Sequence, residues 1–258
     1  MKILALETSA KSVSCAVVED GAPLASAYQC TGLTHSRTLL PMVDAMLKNA
    51  DLTIETIDAI AIAAGPGSFT GLRIGIAAVK GLAWAADKPC LGISTLEAMA
   101  ENIAHLSGLV VGAMDARRAQ VYNAVFEAKD GVLTRLTPDR AISLEELCAQ
   151  LQGKQQPITV LGDGGMLCQR YLTEHGVKCS LAPAALLYQN AVGVGLAAER
   201  LCARRDRERA GTSARLSPSR AGGAAEKRQT GSVSKFQISI YFRRSMQWKQ
   251  HSTKKYTS

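Results

Sequence analysis

The sequence predicts an α/β fold built as two similar lobes, and three observations carry that prediction. Strand-like apolar runs alternate with helix-like runs from Lys2 to Cys202. A strand–turn–strand pattern occurs twice, as "KILALETSAKSVSCAVVEDG" from Lys2 and as "LVVGAMDARRAQVYNAVFEAKDG" from Leu109. Glu7 aligns with Asp115, Val17 with Val125, and Asp20-Gly21 with Asp130-Gly131 after a two-residue insertion. Both copies open stretches of similar length, which places lobes at residues 1–107 and 108–202 and sets residues 203–258 apart as a tail.

In the first lobe, "KILALETS" reads as a strand ending at Glu7, "SVSCAVVED" as its neighbour, and Asp20-Gly21 as a two-residue hairpin turn into "APLASAYQC". From Ser36 to Ala50 the apolar positions Leu39, Leu40, Val43, Met46 and Leu47 recur at helical spacing. "IDAIAIAAG" is a continuous apolar strand, as in a sheet covered on both faces. A Gly-Pro-Gly loop, a helix from about Gly71 to Ala86, the strand "PCLGIS" and a helix from Thr95 to His105 follow. In the second lobe, Ser143 with Glu146 forms a capping-box signature ahead of "LEELCAQL". "PITVLG", the turn Gly162-Asp163-Gly164-Gly165, a helix, "VKCSLAP" and a long helix through Ala203 complete it.

Composition narrows the function classes. No apolar run reaches membrane-spanning length, and the N-terminus lacks a signal-peptide layout, so a cytoplasmic protein is expected. Seven cysteines are scattered without a Cys-x-x-Cys pair, which reads as reduced thiols. The formal charge of +8 is unevenly placed. Residues 203–258 hold 14 of the 30 basic side chains but 3 of the 22 acidic ones, so residues 1–202 carry a net −3. Any nucleic-acid argument from overall charge is therefore an argument about the tail.

The segment "GPGSFTGLRIGIAAVKG" has the glycines and hydroxyls of a phosphate cradle, but no lysine follows them directly, and Lys80 lies a helix length away. Glycine inside a helix costs about 1 kcal/mol relative to alanine. Gly71, Gly75 and the small Ala78 thus suit close approach of another backbone, either the chain's own sheet or a partner's.

With these residues in place, the chain resembles the TsaB family, formerly YeaZ. The resemblance rests on "ILALETSAKSVSCAVV", "THSRTLLPMVDAML", "AIAAGPGSFTGLRIGIAAVKGLA", "PCLGISTLEAMA" and "DARRAQVY", and it covers about residues 1–202. It implies the two-lobed actin, Hsp70 and sugar-kinase-like ATPase fold, with duplicated lobes and small insertions; beyond it, the composition from Ala203 on reads as a disordered C-terminal tail. The implied function is that of a non-catalytic scaffold in threonylcarbamoylation of the adenosine beside the anticodon of tRNAs that read codons starting with A. The implied partners are a metal-bearing TsaD-like catalytic paralogue and a TsaE-like ATPase, with a homodimer when alone, tRNA met only through the complex, no membrane and no cofactor. The first lobe is then the docking lobe, with His35, Leu39, Leu40, Val43, Met46, Leu47, Gly71, Arg73, Gly75 and Ala78 as interface candidates.

The paralogue's metal pattern is not repeated in this chain. Its two histidines fall on Thr95 and Met99, leaving Glu97 alone, which argues against metallopeptidase chemistry. In ATPases of this fold a second acidic-glycine turn wraps the phosphates. That turn is "DARR" in this chain, with Arg117 and Arg118 in place of glycines. Glu7, Thr8, Ser9, Asp115, Arg117, Arg118, Gly164 and Gly165 are the candidates for a residual nucleotide or anion site. A solvated turn at the arginines and a plain strand-to-helix turn at the glycines are the competing readings. An autonomous ATPase or small-molecule kinase is the alternative function, which turnover of ATP by the chain alone would favour.

The tail does not fit this pattern. TsaB-type chains end near a Pro-x-Tyr-Leu-Arg segment. Codons for Ala214 to Arg220 can be chosen that, one nucleotide out of frame, read Pro-Val-Tyr-Leu-Arg-Leu. A frameshift between about Cys202 and Arg215 is therefore expected, with an RNA-binding tail bearing Phe236, Tyr241, Phe242, Trp248 and Tyr256 as the alternative.

Overall fold

The computed structural model describes the backbone of residues 1–215 and the side chains of residues 1–206. The first sheet contains β1 (Ile3–Glu7), β2 (Val13–Glu19), β3 (Ala22–Gln29), β4 (Ala59–Gly65) and β5 (Cys90–Ser94), in the order β3-β2-β1-β4-β5. The second contains β6 (Gly108–Arg117), β7 (Gln120–Lys129), β8 (Val132–Arg135), β10 (Ile158–Leu161) and β11 (Ser180–Leu181), in the order β8-β7-β6-β10-β11, with β9 (Arg140–Ser143) on β7. In each sheet the opening strand runs antiparallel to the second and parallel to the strand on its other side. One topology thus occurs twice, the duplicated plan of the actin-like ATPases. Both hairpin turns are two residues long and left-handed: Asp20 and Gly21 have φ of 52° and 78°, Asp130 and Gly131 of 52° and 73°.

The helices divide between the faces of the first sheet. On β1, Leu4 and Leu6 point into a core with α1 (His35–Asn49) and α2 (Phe69–Ala85), while Ile3 and Ala5 meet α6 (Ala191–Arg215) on the other side. Because both faces are covered, β4 is apolar throughout and β1 is apolar up to its last residue, Glu7. α3 (Thr95–Glu101) leads into the second sheet, where Leu96, Met99 and Phe126 share one core. α4 (Leu144–Leu151), capped by the Ser143 hydroxyl accepting from the Glu146 N–H at 3.1 Å, and α5 (Gly165–Glu174) cover that sheet's other face.

Two expectations are corrected. The helix expected from Thr95 to His105 ends at Glu101 and continues as turns. The last helix starts at Ala191, where Asn190 Oδ1 accepts from the Gly193 N–H, and it lies against the first sheet rather than closing the second lobe. It also runs through Ala203 to Arg215. The frameshifted, disordered tail and its RNA-binding alternative otherwise lie outside the described residues. No helix among the described residues is long and apolar enough to cross a membrane.

Candidate functional site: a sealed turn and an exposed helix face

The turn after β1 is where an ATPase of this plan would hold phosphate, and in this chain it is occupied by its own neighbours. Ser68 N–H donates to the Ser9 carbonyl at 2.6 Å, and the Thr8 hydroxyl donates to the Gly71 carbonyl at 2.9 Å. His35 Nε2 lies 2.8 Å from the Ala10 carbonyl oxygen. The glycines make this contact sterically feasible. A Cβ on Gly71 would stand 2.1 Å from the Thr8 carbonyl oxygen, and one on Gly75 2.3 Å from the Thr8 hydroxyl. Gly67, at φ 159°, would bring a Cβ to 2.5 Å from the Ser9 carbonyl oxygen. Ser68 caps α2 by accepting from the Gly71 N–H at 3.3 Å. The Gly-Pro-Gly segment therefore holds the strand turn of its own lobe.

Glu7, Thr8 and Ser9 are buried as a result. The Glu7 carboxylate accepts from the Ser9 N–H through Oε1, while Oε2 is buried without a hydrogen-bond partner. Burial pushes Glu7 up to about 7, against the lowering effect of its hydrogen bonds from Ser9 and Thr8. These three residues, expected to face a nucleotide, face the protein instead.

In the second lobe Asp115, Arg117 and Arg118 are exposed, and Asp115 Oδ1 accepts from the Arg117 N–H at 2.7 Å. Arg117, Arg118 and Ala119 all adopt positive φ, at 70°, 53° and 55°. Gly164 is buried behind this turn, where a Cβ would meet Asp115 N at 2.9 Å, and Gly165 lies against Leu181 and Leu187. The eight anion-site candidates thus split between a sealed core turn, an open arginine turn and a buried glycine pair. Glu97, the remaining acid of the paralogue's metal pattern, is bound by Arg135 at 2.9 Å and Arg204 at 3.3 Å.

The interface candidates divide as well. Leu39, Val43, Met46 and Leu47 fill the first core, and Gly71 and Gly75 are buried against Thr8, so none of these six is available to a partner in this conformation. Ala78 also packs on that core, and His35 is half-buried on the Ala10 carbonyl. Leu40 and Arg73 are exposed. Sequence reasoning named Arg73 but missed Phe69 and Trp84 on the same outer face of α2. Phe69 is 47% exposed, Trp84 is 90% exposed, and the Arg73 guanidinium lies 3.7 Å from the Phe69 ring centroid. The signal was present: Phe69, Arg73, Ala77 and Trp84 lie at helical spacing opposite Gly71, Gly75, Val79 and Ala83.

A family model described as TsaD, tRNA N6-adenosine threonylcarbamoyltransferase, matches residues 29–206. Among curated proteins, the "tRNA threonylcarbamoyladenosine biosynthesis protein TsaB" of Bacillus subtilis is 35% identical over 162 residues, covering 63% of this chain and 71% of that relative. The chain belongs to the TsaB family. The TsaB of Escherichia coli is 40% identical over 129 residues, 49% of this chain and 55% of its own length. The solved structure of YeaZ from Pseudomonas aeruginosa superposes with a TM-score of 0.68 at 29% identity, covering 80% of this chain and 93% of that one.

Proposed function

We propose that this chain serves tRNA threonylcarbamoyladenosine formation as a non-catalytic subunit that pairs with a TsaD-like catalytic paralogue. The observation that carries the reading is the outer face of α2. Trp84 is 90% exposed and Phe69 47% exposed there, while the inner face of the same helix closes the turn after β1. Covering each of the two rings is worth on the order of 2 kcal/mol, and large exposed apolar side chains rimmed by charge mark interaction surfaces. Arg73 and Leu40 belong to the same docking surface. A TsaE-like ATPase joins the pair, tRNA is met through the complex, and the chain self-pairs through this face when the paralogue is missing.

The test is depletion of the gene with assay of the modified nucleoside in bulk tRNA. Depletion should lower the nucleoside, and the unaltered chain should restore it, whereas a Phe69→Ser, Trp84→Ser chain should not. A nucleoside level that stays normal on depletion would sink the proposal. Restoration by the double variant would remove α2 from it.

A further inference from the structure

The first sheet ends on a strand with an open edge. β3 pairs with β2 on one side and, among the described residues, with no strand on the other. It is eight residues long, whereas the other outer strands, β5, β8, β9 and β11, have five, four, four and two. An open edge offers unpaired N–H and C=O groups to another strand, and proteins ordinarily blunt it with charge, proline, a bulge or a cover. β3 has two of these devices, both at its start. Pro23 is its second residue, and the register with β2 shifts between Val17 and Val18, which leaves Leu24 as an extra residue.

Beyond the bulge the strand is unguarded. Residues 25–29 run in regular register against Val17 to Val13, and no lysine, arginine, aspartate or glutamate occurs anywhere in β3. The two faces of this stretch differ. Ala25 and Ala27 pack on the core beneath α1, while Ser26 and Tyr28 are exposed, Tyr28 by 49%.

We infer that residues 25–29 pair antiparallel with the same residues of a second copy, across a two-fold axis at Ala27, and join two five-stranded sheets edge to edge. The stretch is its own complement. In this register Ser26 stands opposite Tyr28 of the second copy, twice by symmetry, so each ring lies beside a small side chain. On the core side Ala27 meets Ala27 and Ala25 meets Gln29, and no charge opposes another. Length points to the same occupant: Pro23 and the bulge stop pairing at Leu24, and a second copy brings a strand interrupted at the same place. α1 packs against both β3 and α2 and so separates this edge from the outer face of α2. The inference is therefore independent of the proposed function.

The test is sedimentation velocity on the full chain from micromolar to near-millimolar concentration, where so small an interface acts. It uses the Phe69→Ser, Trp84→Ser chain, which removes α2 as a route to self-association. This chain should still form dimers. Adding Ser26→Lys, an exposed change that places two ammonium groups beside the axis, should weaken dimerisation roughly tenfold or more while leaving the circular-dichroism spectrum unchanged. In the double variant, amide hydrogen exchange at residues 25–29 should slow as concentration rises. A double variant that stays monomeric at near-millimolar concentration, a dimer that survives Ser26→Lys, or exchange at residues 25–29 that ignores concentration each overturns the inference.

Discussion

The two lobes share one strand order, yet the turns that follow their opening strands have opposite fates. After β1 the turn buries Thr8 and Ser9, ties both to α2 and the residue before it by hydrogen bonds, and is covered by the glycines of α2. After β6 the turn stands in solvent, carries two arginines and holds three successive residues at positive φ. The paired acids record the same split: Glu7 is buried and pushed up to about 7, whereas Asp115 is exposed and spends one oxygen on the Arg117 N–H. Duplication of a backbone therefore does not duplicate a site. What differs is how the glycines meet the turn: those of α2 cover Thr8 and Ser9, whereas Gly164 at the start of α5 backs the strand end at Asp115 and leaves the arginines in solvent.

The largest expected effect comes from breaking that seal. Gly71→Ala places a Cβ against the Thr8 backbone carbonyl, which cannot rotate away. Thermal unfolding should show a loss of about 3 kcal/mol or more, at the upper end of overpacking costs. Gly81→Ala on the same helix meets nothing within 4 Å and should gain about 0.5–1 kcal/mol from helix propensity. Equal effects at the two positions would mean that α2 does not press on the turn as described.

Much of this fold was legible in the sequence because periodicity reports it directly. The Asp-Gly hairpins, the Ser143 cap and the apolar central strands all carry local signals. The site was less legible, since a sequence records that a residue is apolar or small but not what covers it. Leu39, Val43, Met46 and Leu47 have the spacing of any amphipathic helix, and their own sheet takes them. Gly71 and Gly75 announced a close approach without naming the neighbour, which is Thr8. Once those residues are assigned to the core, the opposite arc of α2 has to be the exposed one, and Phe69 and Trp84 follow. The Glu97 and Glu101 pairings with Arg135, Arg200 and Arg204 join positions far apart in sequence, and no local pattern foretells them.

Next in size is the charge sealed with the first turn. Glu7 titrates near 7 in the folded chain and near 4.5 when unperturbed. Between those values the folded state holds a proton that the unfolded state has lost, so stability is full below about pH 4.5 and falls as pH rises toward 7. The full effect is on the order of 3 kcal/mol. Glu101, also about 7, adds a slope of the same sign. Glu7→Gln keeps an oxygen for the Ser9 N–H and removes the proton, so denaturant unfolding between pH 4.5 and 8 should lose a large part of its decline. An unchanged pH profile would show that Glu7 is not sealed from water as its counterpart Asp115 is not.

The smallest effect tests the open turn. A non-glycine residue in the left-handed region costs roughly 1–2 kcal/mol, and glycine there gives back part of that gain by its freedom in the unfolded chain. Arg118→Gly should therefore stabilise the chain by about 0.5–1 kcal/mol, measured by unfolding at low and at high salt. The same change also removes one of two adjacent cations, so part of the gain should come from relieved repulsion and should shrink as salt rises. A loss of stability would mean that the Arg118 side chain does structural work in this turn, and the contrast between a sealed lobe and an open one would then be weaker than the backbone suggests.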